Sequence, residues 1–245
     1  MKQSILLIFL IGYFTTAYSQ DQKIQFQFAL GPTLSIPKTS ASTNTNVDGS
    51  PEIKSSINMG AFILPSVNYS LSESSSLDFG IGFFIDRFSI EDTMGAVTNK
   101  GNRNISQIQT PINFNVHFSQ DKSYQLGIGA FASFLVSAKE KGDTIIDVSN
   151  IDLIDPNDPN FSNGATVIYD NDIKDNYNSV SFGAFLQLKK SISFSSDKKG
   201  FILVRVNQYF NAIKNNDSNA DISQYIDFKN EKEPTTVNLG IGILL

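Results

Sequence analysis

Cysteine is absent from all 245 residues, and histidine occurs once, as His117. Without cysteine there are no disulfides, so an exported chain must draw its stability from a large core or a closed sheet. A lipid-anchoring cysteine and thiolate metal sites are excluded by the same absence. A lone histidine makes a poor metal site and cannot complete a nucleophile–base–orienter set without distant help. His117 therefore reads as structural filler, and the chain carries no enzyme signature and no cofactor pattern. Long apolar runs are missing too: no segment approaches the ~20 residues that a spanning helix needs. Basic charge is scarce, with 19 Lys and Arg against 24 Asp and Glu and a formal net charge of −5. That balance disfavours nucleic acid, for which a basic patch is expected.

What is present begins with a leader. Lys2 precedes a short apolar run, Ile5 to Tyr13, and Ala17 and Ser19 are small residues before Gln20. Residues 1–19 thus read as a secretory signal peptide, and 20–245 as one domain. An exported chain without a spanning helix can still live in a membrane, but only as a closed β-barrel, which satisfies every backbone group internally.

From Lys23 onward the hydrophobic period is two. In "KIQFQFALGPTLSI" the apolar set is Ile24, Phe26, Phe28, Leu30, Leu34 and Ile36, alternating with Gln25, Gln27, Ala29, Gly31, Thr33 and Ser35. Such alternation suits a tilted bilayer-spanning strand of ~9–11 residues. Seven more segments read alike, at 56–70, 77–90, 105–118, 124–138, 179–194, 200–212 and 235–245. The expectation is an all-β fold, an eight-stranded antiparallel up-and-down transmembrane β-barrel. Short polar turns are expected at 71–76, 119–123 and 195–199, and long polar loops at 37–55, 91–104, 139–178 and 213–234. This alternation matches outer-membrane barrels, whose periplasmic turns are short.

A soluble lipocalin-like ligand-binding barrel would share the strand count with its faces inverted. The polar face argues against it. It carries Gln25, Gln27, Asn58, Asn68, Gln107, Gln109, Asn113, Asn115, Gln125, Gln187, Asn207 and Asn238, with few charges. A water-facing strand surface would be rich in Lys and Glu. Amides without charge suit a crowded lumen. Tyr69, Phe118, Tyr124 and Phe194 fall at short-turn ends of the apolar face, where an aromatic girdle sits. Arg87 and Lys190 are exceptions on the lipid-facing parity, both near an interface, where a charge costs little.

Three Gly-Ile-Gly steps recur, in "FGIG" (79–82) and "LGIG" (126–129 and 239–242). Their glycines take lumen parity, and are expected to permit curvature and make room for bulky neighbours such as Tyr209 or Phe131. Asp86, Lys189 and Arg205 are expected lumen charges that pair inside the bore, since a narrow low-dielectric interior makes pairing near obligatory. The loop at 139–178 is rich in acidic residues, and Asp152, Asp155 and Asp158 within "DLIDPNDPNFSNG" are oxygen donors at a spacing that could attract calcium. They match no full calcium loop, and an exposed loop contacting a partner or a glycan is the favoured reading. "TVIY" (166–169) within it suits a hairpin above the membrane.

The signal end "AYSQ", the strand "QIQTPINFNVHF" (107–118), the turn "SQDKS" and the Gly-rich "YQLGIGAFASFLVSA" (124–138) carry a family resemblance. The chain resembles the outer-membrane β-barrel proteins of the Bacteroidetes, the PorT-like group of the porin family. It departs from that pattern in having Thr110 where a charged residue precedes the proline. The resemblance implies no catalytic residues and an outer-membrane location. It also implies an envelope or secretion complex as partner, since the family's named member takes part in protein secretion. The function expected is that of a non-enzymatic, monomeric barrel in outer-membrane lipid, acting through its external loops or within such a complex. A passive small-solute pore is the alternative, which eight strands disfavour because side chains largely fill so narrow a bore.

Overall fold

A computed structural model describes residues 23–36, 52–94, 96–119, 121–146, 165–195, 198–211, 213 and 234–245. Its strands are β1 (Ile24–Ile36), β2 (Glu52–Ser70), β3 (Ser75–Gly80), β4 (Gly82–Met94), β5 (Val97–His117), β6 (Tyr124–Ile146), β7 (Ala165–Asp172), β8 (Val180–Ser193), β9 (Lys199–Tyr209) and β10 (Thr235–Leu244). β3 and β4 are one crossing interrupted at Ile81, because both halves keep the same register against β2 and β5. β7 lies outside the ring. Eight antiparallel crossings remain, and the ring closes where β1 pairs with β10, Phe28 opposite Ile243 and Leu34 opposite Val237. Closure removes every edge within the bilayer-spanning part.

The faces follow the alternation. Leu30, Ile63, Phe79, Ile108, Ile128, Phe182, Leu186, Ile202 and Ile241 are exposed on the outside. Gln27, Asn68, Gln107, Asn115, Gln187, Asn207 and Asn238 are buried within. This is the inverse of a soluble ligand-binding barrel.

Two bulges break the period. Between Ile57 and Ala61 the β2–β4 register shifts by one residue, and at Gly60 a Cβ would collide with the Ile85 carbonyl. As a result Asn58, expected in the lumen, reaches outward to Ser89 Oγ at 2.8 Å and Asn102 Oδ1 at 2.6 Å. A second shift, where Ser106 pairs with Ser137 but Gln107 with Leu135, leaves Val136 as the extra residue on β6. Above it, β6 exchanges one neighbour for another: Phe134 faces Val180 of β8, whereas Lys139 faces Asp172 of β7.

The expected loop at 91–104 is strand instead, since β4 runs to Met94 and β5 begins at Val97. β5 and β6, at 21 and 23 residues, exceed the bilayer requirement by about ten residues each. With the outer ends of β2 and β4, and with β7, they raise a sheet beyond one side of the rim. The "TVIY" segment belongs to β7, and a short 3-10 turn (Lys174–Asn176) leads from it back to β8.

Candidate functional site

The bore of the barrel is filled with side chains. Near the short-turn end, Lys189 Nζ donates to Asp78 Oδ2 at 2.6 Å and to Gln27 Oε1 at 2.8 Å. Asn68 Nδ2 donates to the other Asp78 oxygen at 2.5 Å and to Ser76 at 2.7 Å. Asn113 links this set to Asn115 at 2.6 Å. All these side chains are buried, and hydrogen bonds to the carboxylate share the work of neutralising it with the ammonium. The void between Asp78, Gln187, Lys189 and Arg205 is about 10 Å³, at the lower limit for a single water.

The middle of the bore is aromatic. Phe62 and Phe84 stack at 5.5 Å between centroids, and Phe201, Leu64 and Leu203 pack with them. Arg205 enters from β9 with its guanidinium 3.5 Å from the Phe185 ring centroid and 5.8 Å from that of Phe84. Its Nε donates to Asn207 Oδ1 at 2.8 Å. Among the described residues this buried cation is held by ring faces and an amide, not by a carboxylate.

Above lies a second polar layer. Gln107 Nε2 donates to Asp86 Oδ2 at 3.0 Å. The Tyr209 hydroxyl stands 3.1 Å from the same oxygen and 3.0 Å from Gln107 Oε1, and accepts from Gln109 Nε2 at 3.0 Å. Ser133 completes the set on Gln107. Phe88, Ile105, Phe131, Ala138, Tyr177 and Ile213 close the bore over it.

The expected lumen charges Asp86, Lys189 and Arg205 all sit buried in the bore, but in three separate layers. Lys189 pairs with Asp78, while Asp86 is held by neutral donors. Asp78 shares lumen parity with Asp86, eight residues on; which of them meets Lys189 depends on barrel stagger, which parity does not reveal. The Gly-Ile-Gly glycines do face the lumen. The rings they admit are Phe84 at Gly82, Phe185 at Gly129, Phe62 at Gly240 and Phe201 at Gly242. Phe131 sits on Gly183 instead, and Tyr209 faces that same glycine across the β8–β9 register. His117 closes a turn: Nδ1 lies 2.9 Å from the Lys122 carbonyl and Nε2 2.8 Å from Gln125 Nε2. The leader 1–19 and the calcium candidates Asp152, Asp155 and Asp158 lie outside the described residues. Among the described residues no group of three acidic or histidine side chains converges as a metal site.

The raised sheet carries its own cluster of polar side chains. Tyr169 of β7 lies across two strands, over Gly101 and beside Gly142, its register partner. A Cβ at Gly101 would meet the Tyr169 oxygen at 2.5 Å. The phenol donates to Glu140 Oε1 at 3.0 Å, and Glu140 Oε2 accepts from Arg103 Nε at 2.6 Å. Burial and the Glu140 carboxylate push the Tyr169 phenol well above its usual range. This lock, which ties the hairpin to the sheet, escaped the sequence reading; its only trace is a glycine on each of two facing strands.

A family model described as "Outer membrane protein beta-barrel domain" matches residues 18–216. No curated protein matches this chain. Among solved structures, the outer membrane protein OprG from Pseudomonas aeruginosa is similar at 9% identity and a TM-score of 0.37, covering 90% of this chain and 95% of that one. Acinetobacter baumannii CarO2 is similar at 13% identity and 0.38, covering 92% and 100%. The translocator domain of the autotransporter NalP from Neisseria meningitidis follows at 10% and 0.20, covering 99% and 97%.

Proposed function

The chain belongs to the outer membrane protein β-barrel domain family, and from that premise we propose a non-enzymatic, monomeric barrel that acts through the sheet it raises outside the cell. In this reading it works within an envelope complex, as an accessory to protein secretion of the PorT-like kind. One observation carries the proposal: the bore is packed along its length, whereas the raised sheet is tied together by side-chain bonds. A transport path would have to displace the Asp78–Lys189 layer, the Phe62–Phe84 stack and the Asp86–Tyr209 layer in turn. The Asp78–Lys189 pair and the Asp86 carboxylate are hydrogen-bonded inside the bore, so opening would strand buried charges. The sheet, by contrast, is held out to solvent by the Tyr169–Glu140–Arg103 lock, with Ile168 fully presented on its outer face.

Two measurements test this. Purified protein in planar bilayers is expected to show no step conductance; discrete steps would overturn the closed-bore reading in favour of a small-solute pore. Deletion of the chromosomal copy is expected to alter the set of secreted proteins. Wild type should restore it, and a barrel lacking 140–176 should not. An unchanged secretome after deletion refutes the secretion role and leaves the closed bore standing.

A further inference from the structure

Arg87, which broke the lipid-facing pattern, is not isolated. Register places Arg87 opposite Asn104, Asn104 opposite Lys139, and Lys139 opposite Asp172, in one row across β4, β5, β6 and β7 on the outer face. The row directly above reads Ser89, Asn102, Lys141 and Asp170, and the next Glu91, Lys100, Asp143 and Ile168. Below it, Phe83, Ile108 and Phe134 are exposed members of the lipid-facing band. Charge is thus sorted by height. In the upper rows Lys141 pairs with Asp170 at 2.6 Å and Lys100 with Glu91 at 3.6 Å. In the lowest row neither Arg87 nor Lys139 has a carboxylate partner among the described residues. The one acid of that row, Asp172, accepts the Lys174 backbone amide at 3.0 Å. Arg87 Nε donates to Asn104 Oδ1 at 2.5 Å, which fixes the guanidinium and leaves its terminal nitrogens for another acceptor.

We infer that Arg87, Asn104 and Lys139 form a binding site for the phosphate of an anionic lipid headgroup in the outer leaflet, with the acyl chains lying down the Phe83–Ile108–Phe134 surface. The two cations stand two strands apart, about 10 Å, a gap that two long side chains close around one phosphate. Arg offers a planar fork and Lys a mobile point charge. The site continues an interface that exists already, the lipid-facing band, and it rests on the outer-membrane placement alone, not on the secretion role.

The test measures lipid retained by the full-length folded barrel, by native mass spectrometry from mixed micelles doped with phosphatidic acid or phosphatidylcholine. Wild type is expected to retain phosphatidic acid over phosphatidylcholine. The Arg87→Gln/Lys139→Gln variant is expected to bind it about twenty-five-fold more weakly, each interfacial cation contributing about a factor of five. Lys100→Gln, one strand away and two rows higher, should behave as wild type. Lys139→Gln alone, an exposed change that leaves the Arg87–Asn104 bond intact, should give about a five-fold loss and guards against misfolding of the double variant. Equal retention of both lipids by wild type, or undiminished retention by the double variant, overturns the site. Displacement of the lipid by millimolar inorganic phosphate would show a free-anion site and overturns the lipid assignment.

Discussion

Replacing Lys189 with Met removes the one cation that, among the described residues, lies within hydrogen-bonding distance of Asp78, while keeping the bulk of the side chain. Asp78 would keep Asn68 Nδ2 at 2.5 Å and the distant Asn113 Nδ2 at 3.5 Å, and Gln27 Oε1 would lose its 2.8 Å donor. Lys189 and Asp78 side chains are 7% and 6% exposed, so little solvent screening discounts the loss. Breaking one partner of such a pair costs about 3–5 kcal/mol. The Asp78→Asn/Lys189→Met double variant should recover to within about 1 kcal/mol of wild type, because no unpaired charge remains and Asn68 still finds an acceptor. The assay is urea unfolding of the barrel in lipid vesicles, followed by heat-modifiable gel mobility and circular dichroism and analysed as a double-mutant cycle. A Lys189→Met variant within about 1 kcal/mol of wild type, or a coupling energy near zero, would refute the claim that this layer closes the bore through the ion pair.

Two further outcomes are expected. Gly127→Leu should reduce the yield of folded barrel sharply, because a Cβ there already meets Asn113 Nδ2 at 2.9 Å and the Asn115 amide; wild-type yield on heat-modifiable gels would contradict the lumen-packing role. The Tyr169 phenol should resist ionisation: its folded pKa lies above the unfolded value, so its contribution is complete below about pH 10 and lost as pH rises beyond. The phenolate absorbance of wild type minus Tyr169→Phe should therefore show a late-titrating phenol, whereas a difference centred near the ordinary tyrosine value would dissolve the proposed lock.

How far the sequence reveals this molecule depends on which solvent each face meets. Where one face meets lipid and the other a crowded lumen, alternation is strong, and all eight crossings and their orientation are legible in runs such as Ile24 to Ile36. Above the membrane neither face of a strand meets lipid, and the covered face is held by polar groups such as Arg103 and Glu140, so 91–104 carries no apolar period and reads as loop although β4 and β5 continue through it. The bulges are equally silent. Gly60 is one glycine among many, and nothing local announces that it lets the Ile85 carbonyl approach and carries Asn58 from lumen to exterior. Val136 is an apolar residue within an apolar run, yet its insertion is where β6 gives up β8 for β7.

The bulge at Val136 and the filled bore are connected through the strand exchange that it permits. If β6 stayed beside β8 along its whole length, the chain between them would leave the rim at the top of a regular barrel. Because β6 departs at the bulge, the returning chain must bridge the gap, with Ile173 N bonded to Ala138 O at 3.0 Å and Asn178 N to Ile213 O at 2.7 Å. That bridge drops Tyr177 onto the apolar lid over Asp86 and Tyr209. One inserted residue thus both projects the external sheet and seals the bore beneath it. A channel would have to undo the feature that presents the sheet, and this is the physical ground for proposing that the protein acts through its outer surface.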